Sequence, residues 1–89
     1  MPPGADTIKG RGEWMENRQK ERYRNLGLNI AFYRKLRGFS QEKLAERVNI
    51  SRTHMSRIET ADCAVSLDVV FNLADALRVE PYKLFESKE

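Results

Sequence analysis

In the stretch SRTHMSRIE, residues 51–59, a 3.6-residue period puts Met55 and Ile58 on one side of a helix. The opposite side then displays Arg52, Thr53, Ser56 and Arg57. Those residue types have a specific chemistry. A guanidinium can donate two hydrogen bonds to guanine O6 and N7, and threonine can bond a base edge or touch a thymine methyl. Ser40 and Ser51 stand where two helices begin. There a hydroxyl caps free N–H groups and can also meet an anion drawn to the positive end of the helix dipole. Arg37, near the end of the preceding helix, can reach phosphate or satisfy terminal carbonyls.

Other chemistry is thinly represented. His54 is the only histidine and Cys63 the only cysteine, so metal-ligand spacing is absent and a nucleophile–base pair could be only those two. There is no glycine loop of the kind that cradles phosphates. The chain is therefore not expected to be an enzyme, and no cofactor or metal is expected.

The elements that must position the polar face follow from the apolar spacing. Leu26, Ile30 and Tyr33 share one helical face that ends at Gly38, a residue suited to a left-handed C-cap. Phe39 turns inward. Ser40 caps a second helix whose inward positions are Leu44, Ala45 and Val48, and Asn49 tolerates the left-handed turn that follows. Ser51 caps the third helix. Residues 60–65 form a loop, and Ser66 caps a fourth helix with Leu67, Val70, Leu73, Ala74 and Leu77 inward. Pro81 suits the first turn of a final short helix, where Leu84 and Phe85 close the core. The fold class is all-α with five short helices. Residues 41–60 meet the demands of a helix-turn-helix: a small residue, Ala45, at the crossing, and apolar residues Leu44, Val48, Ile50, Met55 and Ile58 locking the pair.

Residues 1–14, with two prolines, three glycines and no apolar period, read as disordered, and 15–24 as a possible helical extension. The organisation expected is an extension (1–24), a domain (25–86) and a tail (87–89). Lys9 to Glu13 can be the translation of a purine-rich ribosome-binding site, which makes Met15 a candidate start beside Met1. One cysteine excludes an internal disulfide, and no run approaches the ~18 apolar residues of a membrane span. A cytoplasmic setting, in a bacterium or phage, is expected. The net charge of +3 is uneven: +2 over residues 1–24, +3 over 25–64 and −2 over 65–89. A basic middle and an acidic end give the surface one positive face.

The stretches LGLNIAFYRKLRGFSQEKLAERVNISRTHMSRIE and SLDVVFNLADALRVEPYKLF resemble the Cro/repressor-type, lambda-repressor-like helix-turn-helix domain of phage repressors and bacterial regulators. The resemblance covers about two thirds of the chain. It implies a five-helix domain that binds operator DNA as a two-fold homodimer, with the third helix in the major groove. It assigns base contacts to Arg52, Thr53 and Arg57, with Ser56 beside them, and a backbone contact to Gln41, to which Ser40, Ser51 and Arg37 can add. Arg34 and Glu59 match a pair that forms an internal salt bridge in relatives. One departure stands out. After Glu59 many relatives carry a small polar residue, glycine and a cation that grip phosphate, whereas this chain has Thr60-Ala61-Asp62-Cys63. Asp62 repels phosphate, so a shallower salt dependence is expected, unless Arg18, Lys20, Arg22 and Arg24 compensate as an arm.

Two surfaces compete as protein interfaces. Leu28, Phe32 and Leu36 form a second apolar stripe on the first helix at i, i+4, i+8, unless Trp14 or Tyr23 covers it. Val69 and Phe71 on the fourth helix, with the tail, form the other, and relatives often dimerise through that end. The leading expectation is a sequence-specific transcriptional regulator acting by occupancy. The alternative is a protein-interaction module, such as an antitoxin or partner-binding subunit, with DNA binding secondary or lost.

Overall fold

The computed structural model describes residues 8–87, with side chains from residue 19 onward. Four α-helices, α1 (Ile8–Leu36), α2 (Gln41–Arg47), α3 (Arg52–Glu59) and α4 (Leu67–Leu77), are followed by a closing 3-10 helix (Pro81–Phe85). No strand occurs among the described residues.

The first helix starts earlier than its apolar period foretells. Residues 8–14, expected as disordered, belong to α1, while residues 1–7 lie outside the described residues. A helix anchored at Leu26 and Ile30 extends at one hydrogen bond per residue, and the run from Glu13 to Arg24 is rich in good helix formers. Gly10 and Gly12 each oppose this by about 1 kcal/mol, and no proline interrupts the helix.

The core gathers Leu26 and Ile30 of α1, Leu44 and Ala45 of α2 with Val48 just after it, Met55 and Ile58 of α3, four residues of α4, and Leu84. Two expectations are corrected at its edge. Leu67 is 60% exposed and Phe85 51% exposed. Leu67 is the first residue of α4, beyond the face that Val70, Leu73, Ala74 and Leu77 bury. In the closing helix, three residues per turn align Phe85 with exposed Tyr82 rather than with Leu84.

Each α-helix after the first begins at a serine whose hydroxyl accepts an N–H three residues on: Ser40 from Lys43, Ser51 from His54, Ser66 from Val69. Left-handed backbone closes the turns at Gly38 (φ 79°) and Asn49 (φ 60°). Ala61 (φ 62°) and Arg78 (φ 61°) adopt the same region, which sequence alone did not mark. Two asparagines of α1 staple the chain end. Buried Asn29 donates to the carbonyls of Leu84 (2.9 Å) and Glu86 (2.7 Å), and Asn25 to those of Phe85 and Glu86. The closing helix is thereby held along α1, and α1 in turn packs on α3.

Candidate nucleic-acid interface

The polar side of α3 is held out by what lies beneath it. Met55 and Ile58 are buried, and the turn from α2 is tied by Ile50 N–H to the Ala45 carbonyl at 3.0 Å. Ala45 is buried at the crossing, where its lone methyl lets the two helices approach. With the apolar side sunk, Arg52, Thr53 and Arg57 are exposed, and Ser56 is half-buried among them. The four therefore share one accessible face. His54 is half-buried on the same helix.

The C-terminal end of α3 closes by a pair of backbone bonds around Ala61: Asp62 N–H to the Arg57 carbonyl (2.8 Å) and Ala61 N–H to the Ile58 carbonyl (3.2 Å). This arrangement satisfies carbonyls that the helix leaves free. Thr60 Oγ1 adds a bond to the Ser56 carbonyl at 2.9 Å. Arg57 leans toward the same loop, its Nη2 3.4 Å from the Asp62 carbonyl. A long exposed contact of that kind holds the guanidinium only weakly, leaving it free to turn outward.

Beneath the face lies a charged cluster. Arg34 Nε and Nη2 donate to the two carboxylate oxygens of Glu59 at 2.7 and 3.1 Å, and Nη1 donates to the Phe39 carbonyl at 2.9 Å. Gln41 Nε2 donates to Glu59 Oε1 at 2.9 Å. Helix α1, the first residue of α2 and the last of α3 meet at one carboxylate. Gln41 thus directs its amide NH2 inward at the N-terminal turn of α2, where Ser40 is exposed beside it. Ser51 is exposed at the matching turn of α3.

Arg37 stands apart from this group. Its Nε donates to the Leu77 carbonyl at 2.7 Å and Nη2 to the Arg78 carbonyl at 3.3 Å, so it caps the end of α4. Of the two roles weighed for it, carbonyl satisfaction is the one the structure contains, on a neighbouring helix rather than its own. The two Nη1 hydrogens and the second Nη2 hydrogen are not used by these bonds, and the side chain is exposed.

The proposed interface residues divide likewise. Leu28, Phe32 and Leu36 are 55%, 48% and 60% exposed, so neither Tyr23, which packs on the core, nor the closing helix hides the stripe. The side chain of Trp14 lies outside the described residues. On α4, Phe71 is exposed and Val69 half-buried against the core. Among the described residues no three His, Cys, Asp or Glu side chains gather where a metal could sit, and no helix is long and apolar enough to cross a membrane.

Sequence reasoning missed Gly27. A Cβ there would stand 2.6 Å from both the Ile58 and Glu59 carbonyl oxygens, so α1 and α3 touch backbone to backbone at this point. The signal was available: a glycine inside a helical pattern marks either weakness or close approach.

Against known proteins, the pattern described as Helix-turn-helix matches residues 30–84. A hypothetical transcription factor from Neisseria meningitidis serogroup B is 34% identical over 59 residues. That match takes in 66% of this chain and 56% of the relative, so the chain spans little over half of that protein's length. Among solved structures, the restriction-modification controller protein C.AhdI from Aeromonas hydrophila superposes with a TM-score of 0.68 at 33% identity, covering 71% of this chain and 96% of that one. The Neisseria transcription factor NHTF gives 0.72 at 30% identity, over 75% and 77% of the two chains. The clp gene regulator ClgR from Corynebacterium glutamicum gives 0.68 at 22% identity, over 70% and 66%, a likeness of fold.

Proposed function

The chain belongs to the helix-turn-helix family of DNA-binding transcriptional regulators, and on that premise we propose that it binds a two-fold operator with α3 in the major groove. One observation carries this reading: Arg52, Thr53 and Arg57 stand exposed on one side of a helix whose other side is locked into the core. Arg52 and Arg57 read guanine edges, Thr53 reads a base edge or a thymine methyl, and Ser56 adds a hydroxyl to that row. Ser40, Ser51 and the N-terminal N–H groups of α2 and α3 fix the register on phosphate, which positions the protein without reading sequence. The likeness to a controller protein supports a role in regulating gene expression.

A homodimer follows from a two-fold operator, with half-site centres about 34 Å apart. Its surface is the α4 end, where Leu67 and Phe71 are exposed beside Phe85 and half-buried Val69. Selection from random duplexes at stated salt should return a two-fold sequence, and sizing of the free protein should give a dimer. In the selected operator, Arg52→Ala should cost about 1–3 kcal/mol and relax preference at one base pair per half-site. Unchanged discrimination would remove Arg52 from the reading set.

The second reading, a protein-interaction module, is favoured by the exposed stripe of Leu28, Phe32 and Leu36, since contiguous apolar surface of this kind marks contact sites. Phe32→Ser with Leu36→Ser should leave the fold intact, both side chains being exposed, and abolish any hetero-complex that co-purifies with the protein. A complex of undiminished stability would reject the stripe as its docking surface.

A further inference from the structure

The loop after α3 places an acidic side chain beside the cations of that helix. Asp62 is exposed in it, directly beyond Arg57. Helix α1 passes the same end of α3, because Gly27 rests on the carbonyls of Ile58 and Glu59. Arg24 and Lys20 lie three and seven residues before Gly27, and residues at that spacing share a helix face. They continue the side of α1 turned toward α3 outward past the loop. The opposite flank of the same stretch, with Arg22 and Leu26, borders a groove of about 690 Å³ against Val65, Leu67 and Phe85. Going outward along α1 from the contact of Gly27 with the end of α3, the cations on this side are Arg24, then Lys20.

Both cations are exposed. Among the described residues Arg24 pairs only with its neighbour Glu21, Nη1 to Oε2 at 3.3 Å, and both side chains of that pair stand in solvent. An exposed pair of this kind gives way readily to a stronger anion. Four residues of helix set Lys20 about 6 Å beyond Arg24 along the axis. A duplex offers one charge per ~1.7 Å of its own axis, so each cation can find a separate phosphate. Both residues precede the span that matches the family, which begins at residue 30.

We infer that Lys20 and Arg24 form a second site for the DNA backbone, on α1 outside the helix-turn-helix, replacing the phosphate grip that Asp62 removes from the loop. The inference rests on the operator reading for its ligand, a duplex phosphodiester, and on the placement of α1 for its location. It predicts that this protein holds DNA with more of its charge on the first helix than on the loop.

The test is the slope of log K against log salt concentration for a selected duplex, measured with wild type and with Lys20→Ser/Arg24→Ser. Two lost contacts should flatten the slope by about 1.8, at ~0.9 per phosphate, with the order of preference among operator variants unchanged. Adding Asp62→Lys to the double variant should restore about 0.9, because the loop regains the cation that the helix gave up. An unchanged slope in Lys20→Ser/Arg24→Ser overturns the inference. So does a loss confined to self-association by sedimentation, which would assign these cations to the acidic residues of a second copy. A wild type that binds duplexes without base preference sinks the operator reading separately, and the slope comparison on any duplex still decides the α1 site.

Discussion

Glu59→Ala should lower the unfolding free energy by about 3 kcal/mol. The carboxylate accepts three hydrogen bonds, two from Arg34 and one from Gln41. The side chains of Arg34 and Glu59 are only 11% and 6% exposed. Removing the anion leaves a guanidinium almost out of water with the Phe39 carbonyl as its remaining partner, and an amide of Gln41 without an acceptor. The cost is that of an uncompensated charge, which exceeds the net worth of the pair itself. A comparison separates the two. Arg34→Met with Glu59→Leu removes both charges and fills the space, and should be less destabilised than Glu59→Ala alone. A domain of this size loses about 4–8 °C per kcal/mol, so the single variant should melt roughly 12–24 °C lower. Urea midpoints with unchanged slopes would measure the difference, and a loss under 1 kcal/mol would show that the cluster is better solvated than its geometry implies. Duplex affinity should fall alike for every sequence, because Glu59 orients α3 and reads no base.

How much of this was legible beforehand depends on the range of the signal. Local signals were clear: the serine caps at residues 40, 51 and 66, the left-handed turns at Gly38 and Asn49, and the buried side of α3 are all written within four residues of where they act. Helical spacing alone therefore displays Arg52, Thr53 and Arg57. Signals that need a distant partner were not legible. Asn29 lies between Leu26 and Ile30, and nothing nearby announces that its amide serves carbonyls 55 and 57 residues away. Arg37 has the same ambiguity: its own helix end and the end of α4 are equally good acceptors until the fold brings one of them to 2.7 Å. Leu67 and Phe85 were misplaced because apolar type marks what a helix can bury, while its position at a helix end decides whether anything reaches it. Ala61 was hidden for another reason. Alanine in the left-handed region is uncommon, and here two backbone bonds hold it there.

Those same long-range contacts make α1 the frame of the site. It carries Arg34 to Glu59, the asparagines to the closing helix, and Gly27 to the end of α3. Helix α3 has eight residues, too few to be stable alone. Its orientation is imposed at its two ends, by the Ser51 cap and the turn at one and by α1 at the other.

Gly27→Ala tests that second end directly, and two opposing effects decide its sign. In an open helix the change would be favourable by about 1 kcal/mol, through helix propensity. Here the new methyl would sit 2.6 Å from two carbonyl oxygens and 2.9 Å from the Glu59 carbonyl carbon. All three are backbone atoms, so no rotamer can relieve the contact and α1 must move away from α3. Overpacking of this kind typically costs 1–3 kcal/mol, and the absence of a flexible neighbour puts this site at the upper end. The expected net result is a loss of about 2 kcal/mol, read from urea unfolding. The displacement also pulls at the cluster, since Glu59 supplies both the carbonyl being pushed and the carboxylate held by Arg34. Operator affinity should therefore fall by more than the lost stability explains, even at temperatures where the variant is fully folded. A variant as stable as wild type, with unaltered affinity, would mean that α3 takes its bearing from the turn after α2 alone.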